Sequence, residues 1–279
     1  MTAPYAPTLP ATEDGQLAGK GFFTDTSVCI GCKACEVACK QWNQLPMDDL
    51  SWDATSYDNT HALSATTWRH VTFAELPGAG GAGGQTDWLM MSDVCKHCQH
   101  AGCLEACPTG AIVRTEFNTV LVQQDVCNGC GYCVPSCPYG VIDLDMEHSA
   151  TTARDGKAHK CTLCYDRLTE GLEPACAKAC PTDAIQFGDV ADLRRRADER
   201  VGKLRAEGLD AYIYGDEQMG GGNGIGHLNA FFLLLDEPSK YNLPEAPSLP
   251  QNHTLPGILT MAATAIGLGL ATAWTLGRK

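Results

Sequence analysis

The residues of this chain best equipped for chemistry are its cysteines. Sixteen occur in 279 residues, and they fall into four groups of four. The first runs Cys29-x2-Cys32-x2-Cys35-x3-Cys39 and the second Cys95-x2-Cys98-x4-Cys103-x3-Cys107. The third runs Cys127-x2-Cys130-x2-Cys133-x3-Cys137 and the fourth Cys161-x2-Cys164-x11-Cys176-x3-Cys180. Thiols so arranged could form disulfides, bind zinc or bind iron–sulfur clusters. Disulfide frameworks belong to short secreted chains. Residues 1–20 have neither the basic start nor the apolar run of a secretory signal, and Arg194, Arg195 and Arg196 lie far downstream of where a twin-arginine signal would stand. Structural zinc takes two CxxC pairs about 15–20 residues apart, or Cys₂His₂, whereas each group here is a complete set. A cubane cluster needs three thiolates on one tight loop, and two-residue spacers let successive sulfurs reach three iron corners. The fourth cysteine of a group is expected at the start of a short helix, pointing away. Three groups end in Cys-Pro with a strand-like tail, CPTGAI, CPYGVI and CPTDAI, an internal repeat. The proline removes an N–H donor and fixes the chain direction. The first group departs from this, with Lys40 after its last cysteine. The reading is four [4Fe–4S] clusters.

The elements that must position these groups follow from the intervening sequence. Only 19 residues, 108–126, separate the second group from the third. They read as a hairpin: AIVRT, a turn at Glu116-Phe117-Asn118, then TVLVQ. Groups two and three therefore form an inner unit, 92–147, and groups one and four pair around it as an outer unit, 21–91 with 148–188. In two-cluster ferredoxins the fourth cysteine ligates the other cluster. By that analogy the sets are Cys29, Cys32, Cys35 and Cys180; Cys161, Cys164, Cys176 and Cys39; Cys95, Cys98, Cys103 and Cys137; and Cys127, Cys130, Cys133 and Cys107. The fold class is α+β: two ferredoxin-like double-cubane units in tandem plus a C-terminal transmembrane helix.

Residues 1–20 read as a flexible tail. Residues 40–91 are an insertion in the outer unit, with a strand at TTWRHVTFAE and a flexible loop at PGAGGAGGQ. Trp42, Trp52, Trp68 and Trp88 are expected to pack over the clusters and exclude water, with partner docking as the other use. Val190, Leu193, Ala197, Val201 and Leu204 recur at helical spacing across 189–207, and Gly208 is a stop signal. AYIY and LNAFFLLLD read as strands around GGGNGIG, which lacks the Lys-Ser/Thr of a phosphate loop. The region 189–250 is expected to serve partner docking. From Leu255 to Leu276 no residue is charged, and 22 residues suffice for a bilayer span. Ala263, Gly267 and Ala271 form a small-residue stripe suited to another membrane helix. Arg278 and Lys279 place the C-terminus in the cytoplasm by the positive-inside rule. The cluster domain would then face the extracytoplasmic, periplasmic side, having crossed folded with a partner.

Charge is acidic, 20 Lys+Arg against 33 Asp+Glu for a net of −13, which argues against nucleic-acid binding. Four oxidised clusters would add about −2 each. The eight histidines are scattered. His97 and His100 lie within the second cysteine group and read as surface residues or as donors tuning a cluster. No catalytic constellation is visible.

SVCIGCKACEVACKQWN, CKHCQHAGCLEACPTGAI, CNGCGYCVPSCPYGV and KCTLCYDRLTEGLEPACAKACPTDAIQFG together resemble the four-cluster subunits of molybdenum or tungsten oxidoreductases. Within that group the chain is most similar to the beta subunits of membrane-bound formate dehydrogenases. The helix with GGGNGIG and DEPSKYNLP, and the C-terminal span, carry that narrower likeness over roughly residues 20–279. The resemblance implies a non-catalytic subunit. It would conduct electrons from a formate-oxidising molybdopterin (Mo or W) alpha subunit to a membrane cytochrome b gamma subunit and quinone. It agrees with pairing group one with four and two with three. Nitrate reductase relatives replace one ligand with Trp, whereas all sixteen positions here are Cys. Alternatives are the same role for a dimethyl sulfoxide, polysulfide or tetrathionate reductase or a hydrogenase, or a zinc-binding scaffold.

Overall fold

The computed structural model describes residues 19–47, 54, 56–80, 85–146 and 156–277, with only the backbone for 77–80 and 85–87. The tail 1–18, Trp52 and the Arg278–Lys279 flank lie outside the described residues.

The chain opens with β1 (Lys20–Asp25) and, after the first three cysteines of group one, α1 (Ala34–Asn43). A long hairpin follows, β2 (Arg69–Gly80) and β3 (Gln85–Val94). Then come the single-turn helix α2 (Gly102–Glu105), the short hairpin β4 (Ile112–Arg114) and β5 (Val120–Val122), and a second short pair, β6 (Asp143–Leu144) and β7 (Ala158–His159). The chain continues through α3 (Tyr165–Thr169), α4 (Ala175–Lys178), β8 (Ile185–Asp189), α5 (Val190–Ala206), β9 (Tyr212–Tyr214) and β10 (Ala230–Leu234), and ends on α6 (Thr254–Leu276). This is an α+β chain.

The largest sheet has the order β8-β1-β10-β9, with β1 and β10 parallel and both outer pairs antiparallel. β10, AFFLL, is buried at every residue, as its unbroken apolar run requires of a strand covered on both faces. Phe231 and Leu233 join Phe23 and the buried stripe of α5 (Val190, Leu193, Ala197, Val201, Leu204) in one core. Phe232 and Leu234 point the other way, into a core with Met91, Tyr214, Leu228 and Leu249. The period of two along the strand separates these cores, and the Phe23 and Phe231 rings stack at 5.5 Å across β1 and β10. Gly21 permits that pairing, because a Cβ there would stand 1.9 Å from the Asn229 carbonyl oxygen.

The sheet solves a problem that local spacing cannot. β1 leads into cysteine group one and β8 leads out of group four, and they pair antiparallel, Thr24 opposite Ile185. Residues 29–35 and 176–180 are thereby brought to one place across about 150 residues of chain. β9 and β10 extend the same sheet, so 189–250 packs directly on this unit.

Of the loop expected at PGAGGAGGQ, residues 81–84 lie outside the described residues, and the strands flank them on both sides. β2 continues to Gly80 and β3 begins at Gln85, with the register shifting between Leu76 and Gly80. A two-stranded ribbon is all edge, so Pro77 and its glycine neighbours remove no interior ladder bond. Of Trp42, Trp68 and Trp88, the described tryptophans expected over the clusters, Trp68 alone packs against a core, its Nε1 donating to Ala65 O at 2.7 Å. Trp42 is 43% exposed and donates to Asp166 at 2.8 Å beneath Arg167, and Trp88 is 39% exposed beside Tyr57. Their indoles fasten surface elements to one another.

α6 has no buried residue. At 1.5 Å per residue its 23 residues reach about 35 Å, longer than the roughly 30 Å hydrocarbon core. Thr260 and Thr264 donate to the carbonyls of Pro256 and Thr260 at 2.9 and 2.8 Å, which satisfies both hydroxyls within the helix, as an apolar surrounding demands.

Candidate metal centres

Each cysteine group begins with the same backbone device. The residue immediately before the second cysteine has positive φ in all four: Gly31 (64°), His97 (44°), Gly129 (71°) and Leu163 (58°). This left-handed step curls the loop so that the flanking thiols converge. It is free for glycine and costs about 1–2 kcal/mol for His97 and Leu163, both fully buried and so held in place by packing. The turn after Cys-Pro aims backbone N–H groups back at the sulfur. Thr109, Ala111 and Ile112 donate to Cys107, and Tyr139 and Val141 to Cys137. Proline has no N–H, which leaves those later donors to serve the sulfur. The expected place of the fourth cysteine is corrected here. Cys107 and Cys180 follow the single-turn helices α2 and α4, Cys39 lies inside α1, and no helix surrounds Cys137. The three-residue spacing turns the chain through one helical turn before the cysteine.

The thiols gather in space across the groups. One cavity is lined by Cys29, Cys32, Cys35 and Cys180, with Val71 and Ser92 of the insertion hairpin as part of its wall. A second is lined by Cys95, Cys98, Cys103 and Cys137. A third is lined by Cys107, Cys127, Cys130 and Cys133. Cys39, Cys161, Cys164 and Cys176 are all buried, and the other three are the thiols whose negative charge bears most on Cys39. The insertion thus has a structural role: Glu36 of α1 accepts from the Val71 N–H of β2, and the Cys35 Sγ lies 3.1 Å from the Ser92 hydroxyl of β3.

These thiols suit a polynuclear cluster. All sixteen are free of disulfides. Four sulfurs around one zinc at 2.3 Å stand about 3.8 Å apart. Among the described residues no group of three or more His, Cys, Asp or Glu side chains is placed to hold a single metal ion. Burial pushes the Cys35 thiol up to about 12, with Arg69 and Ser92 opposing it, and Cys103 likewise up to about 12. Buried thiolates at this density require a cationic core between them, which iron supplies.

Buried cations surround the quartets. Lys96, fully buried, pairs with Asp93 and lies 5.4 Å from the Tyr139 and Phe232 ring centres. Lys160, 2% exposed, donates to the carbonyls of Val120 and Cys161. His97 accepts the Val120 N–H at Nδ1 (3.0 Å), and burial, then Lys160, Arg114 and Arg69, holds it well below the usual imidazole range. The neutral ring therefore carries its proton on Nε2, which has no partner among the described residues in a side chain lining the second cavity. That is a donor for a cluster sulfide. His100 is exposed. The glycine-rich loop caps this region, with Tyr139 Oη donating to Gly220 O. Sequence reasoning missed Arg69, Lys96 and Lys160. For the two lysines a signal was present, since Lys96 and Lys160 each adjoin a ligand cysteine; Arg69 offered none along the chain.

Comparison with known proteins agrees with this chemistry. A family described as "4Fe-4S dicluster domain" matches residues 86–190, and a second of the same description matches residues 28–111. The nitrate-inducible formate dehydrogenase iron-sulfur subunit of Escherichia coli K12 is 40% identical over 236 residues, 83% of this chain and 74% of that protein. The formate dehydrogenase iron-sulfur subunit of Haemophilus influenzae is 38% identical, covering 89% of this chain and 76% of that one. The probable anaerobic dimethyl sulfoxide reductase chain YnfG of Escherichia coli K12 is 35% identical over 63% of this chain and 76% of its own. With its sixteen cysteines, the chain carries four [4Fe–4S] clusters and has an electron-transfer, non-catalytic role. Cluster-domain matches, thiol quartets and identity over most of the length converge: this chain belongs to the family of formate dehydrogenase iron–sulfur subunits.

Proposed function

We propose that the cysteines bind in the crossed sets given above, with Cys180 serving the first loop, Cys39 the fourth, Cys137 the second and Cys107 the third. The observation that supports this is the lining of the three cavities, each of which takes three thiols from one group and one from another. The family matches run in chain order, through groups one and two and then two to four, because they compare spacing along the sequence. Position in space favours the nested pairing of one with four and two with three.

The thiols whose charges act across sets give an order. The charge of Cys176 acts on Cys35, that of Cys95 on Cys161, and that of Cys133 on Cys103. The sets then follow one another as Cys29/32/35/180, Cys39/161/164/176, Cys95/98/103/137 and Cys107/127/130/133. The end sets include the exposed thiols Cys32 and Cys130, and the second set is buried throughout. Each cluster, when bound, exchanges one electron with its cysteine ligation unchanged. The chain keeps neighbouring sets within electrostatic reach of one another, buries the second set throughout and leaves a thiol exposed in each end set.

On this reading one end meets a molybdopterin catalytic subunit that oxidises formate and the other a membrane cytochrome b, with α6 as the single-pass anchor and the clusters extracytoplasmic. The test uses the detergent-solubilised complex purified under argon through this chain. Formate should bleach the broad iron–sulfur absorption and raise interacting reduced-cluster signals in electron paramagnetic resonance. A brown protein that dithionite reduces and a sulfoxide then reoxidises, but that formate does not reduce, would move the chain to the second reading that the YnfG likeness favours.

A further inference from the structure

Arg69 is 1% exposed at the start of β2, and its guanidinium lies 4.7 Å over the Phe22 ring. Its Nη1 donates to the Ser92 hydroxyl at 3.1 Å and to Ser92 O at 3.4 Å. The same hydroxyl lies 3.1 Å from Cys35 Sγ, so it can accept from Arg69 and donate to the sulfur. Among the described residues the buried Nε and Nη2 have no hydrogen-bond partner and no carboxylate pairs with this cation. A buried, unpaired guanidinium is among the most expensive groups a fold can contain, unless an anion compensates it. The charges it faces are the thiols of Cys176, Cys35, Cys161 and Cys39, drawn from two proposed sets.

The geometry points to Arg69 as a positioning residue shared by two iron–sulfur centres, those of Cys29/32/35/180 and Cys39/161/164/176, whose charge favours their reduced forms. This inference rests on the proposed sets. Each oxidised core with its thiolates carries about −2 and becomes more negative on gaining an electron. A fixed cation between the two lowers the cost of that extra charge in either. Ser92 transmits part of the effect to Cys35 as a hydrogen bond, and the unpartnered Nε–H and Nη2–H₂ remain as donors to the other set. Arginine stays charged at every working pH, so the bias is permanent.

The test is a potentiometric titration of the intact complex, followed by electron paramagnetic resonance, on wild type and on Arg69→Met, Arg69→Lys and Ser92→Ala. At a fixed potential Arg69→Met should raise the oxidised-to-reduced ratio of at least one centre about tenfold, a fall of 59 mV in midpoint for a one-electron couple. Arg69→Lys keeps the charge and should recover most of it. Ser92→Ala should lower a single centre by a smaller amount. Four intact centres with wild-type midpoints in the Arg69→Met complex would overturn the inference and leave the sets standing. If Arg69→Met does not assemble, the neutral Arg69→Gln is read by the same criterion, and wild-type midpoints there and in Ser92→Ala overturn it equally. A complex lacking four-iron centres even in wild type would instead remove the reading on which it rests.

Discussion

Removing cysteines in pairs tests the crossed ligation directly. Cys180 lies four residues from Cys176 in sequence, yet it lines the cavity of Cys29, Cys32 and Cys35, while the charge of Cys176 acts on Cys39, Cys161 and Cys164. Cys29→Ala and Cys180→Ala each remove one of four thiolates from a single centre and should each abolish one intact four-iron cluster. Combined, they strike the same centre, so the double variant should retain as many intact centres as either single one. Cys161→Ala with Cys180→Ala strikes two centres and should lose twice as many. With about sixteen iron atoms per chain in the parent, complete loss leaves about twelve in the first double variant and about eight in the second. Such a departure from additivity is the expected signature of groups acting as one unit. The assay is iron per chain with spin integration of the dithionite-reduced complex. If Cys29 with Cys180 lost two centres and Cys161 with Cys180 only one, ligation would follow the chain and the crossed assignment would be wrong.

Four further outcomes follow from the packing and charges. Phe232→Ala removes a fully buried ring beside Lys96 and Tyr214 and should cost about 3–5 kcal/mol, read as faster cluster bleaching in guanidinium. Gly21→Ala forces β1 away from β10 and should destabilise by at least about 3 kcal/mol, whereas Gly171→Ala, which meets nothing nearby, should incur only its positive-φ strain. Burial raises the Asp58 carboxyl, but its hydrogen bond to His70, then the His70 charge, the His61 N–H and Lys33, leave it below the ordinary value. Its stabilisation is present above about pH 4 and is lost as pH falls through the lowered value, so the gap in cluster-loss rate between wild type and Asp58→Asn should close there. Deleting residues 254–279 should release the brown subunit from membranes, and protease protection of the cluster region in spheroplasts would refute its extracytoplasmic placement.

The chemistry is legible in the spacing of residues along the chain. Two-residue spacers, Cys-Pro steps and four complete quartets are local requirements of cubane ligation, so they survive in one dimension. The α5 stripe, the 112–122 hairpin and the apolar C-terminal helix were legible for the same reason, since each is a periodicity within one element. The tertiary structure decided what depends on distant segments meeting. KGFFTD was not recognised as a strand, because its role is to pair with residues 185–189 on one side and 230–234 on the other. The Arg69 environment was equally hidden: a charged residue in an alternating strand reads as solvent-facing until the hairpin folds against α1 and sets it among thiols from groups one and four. Ligand identity is written in covalent spacing, whereas the charge and water around each ligand come from chain that is close only after folding.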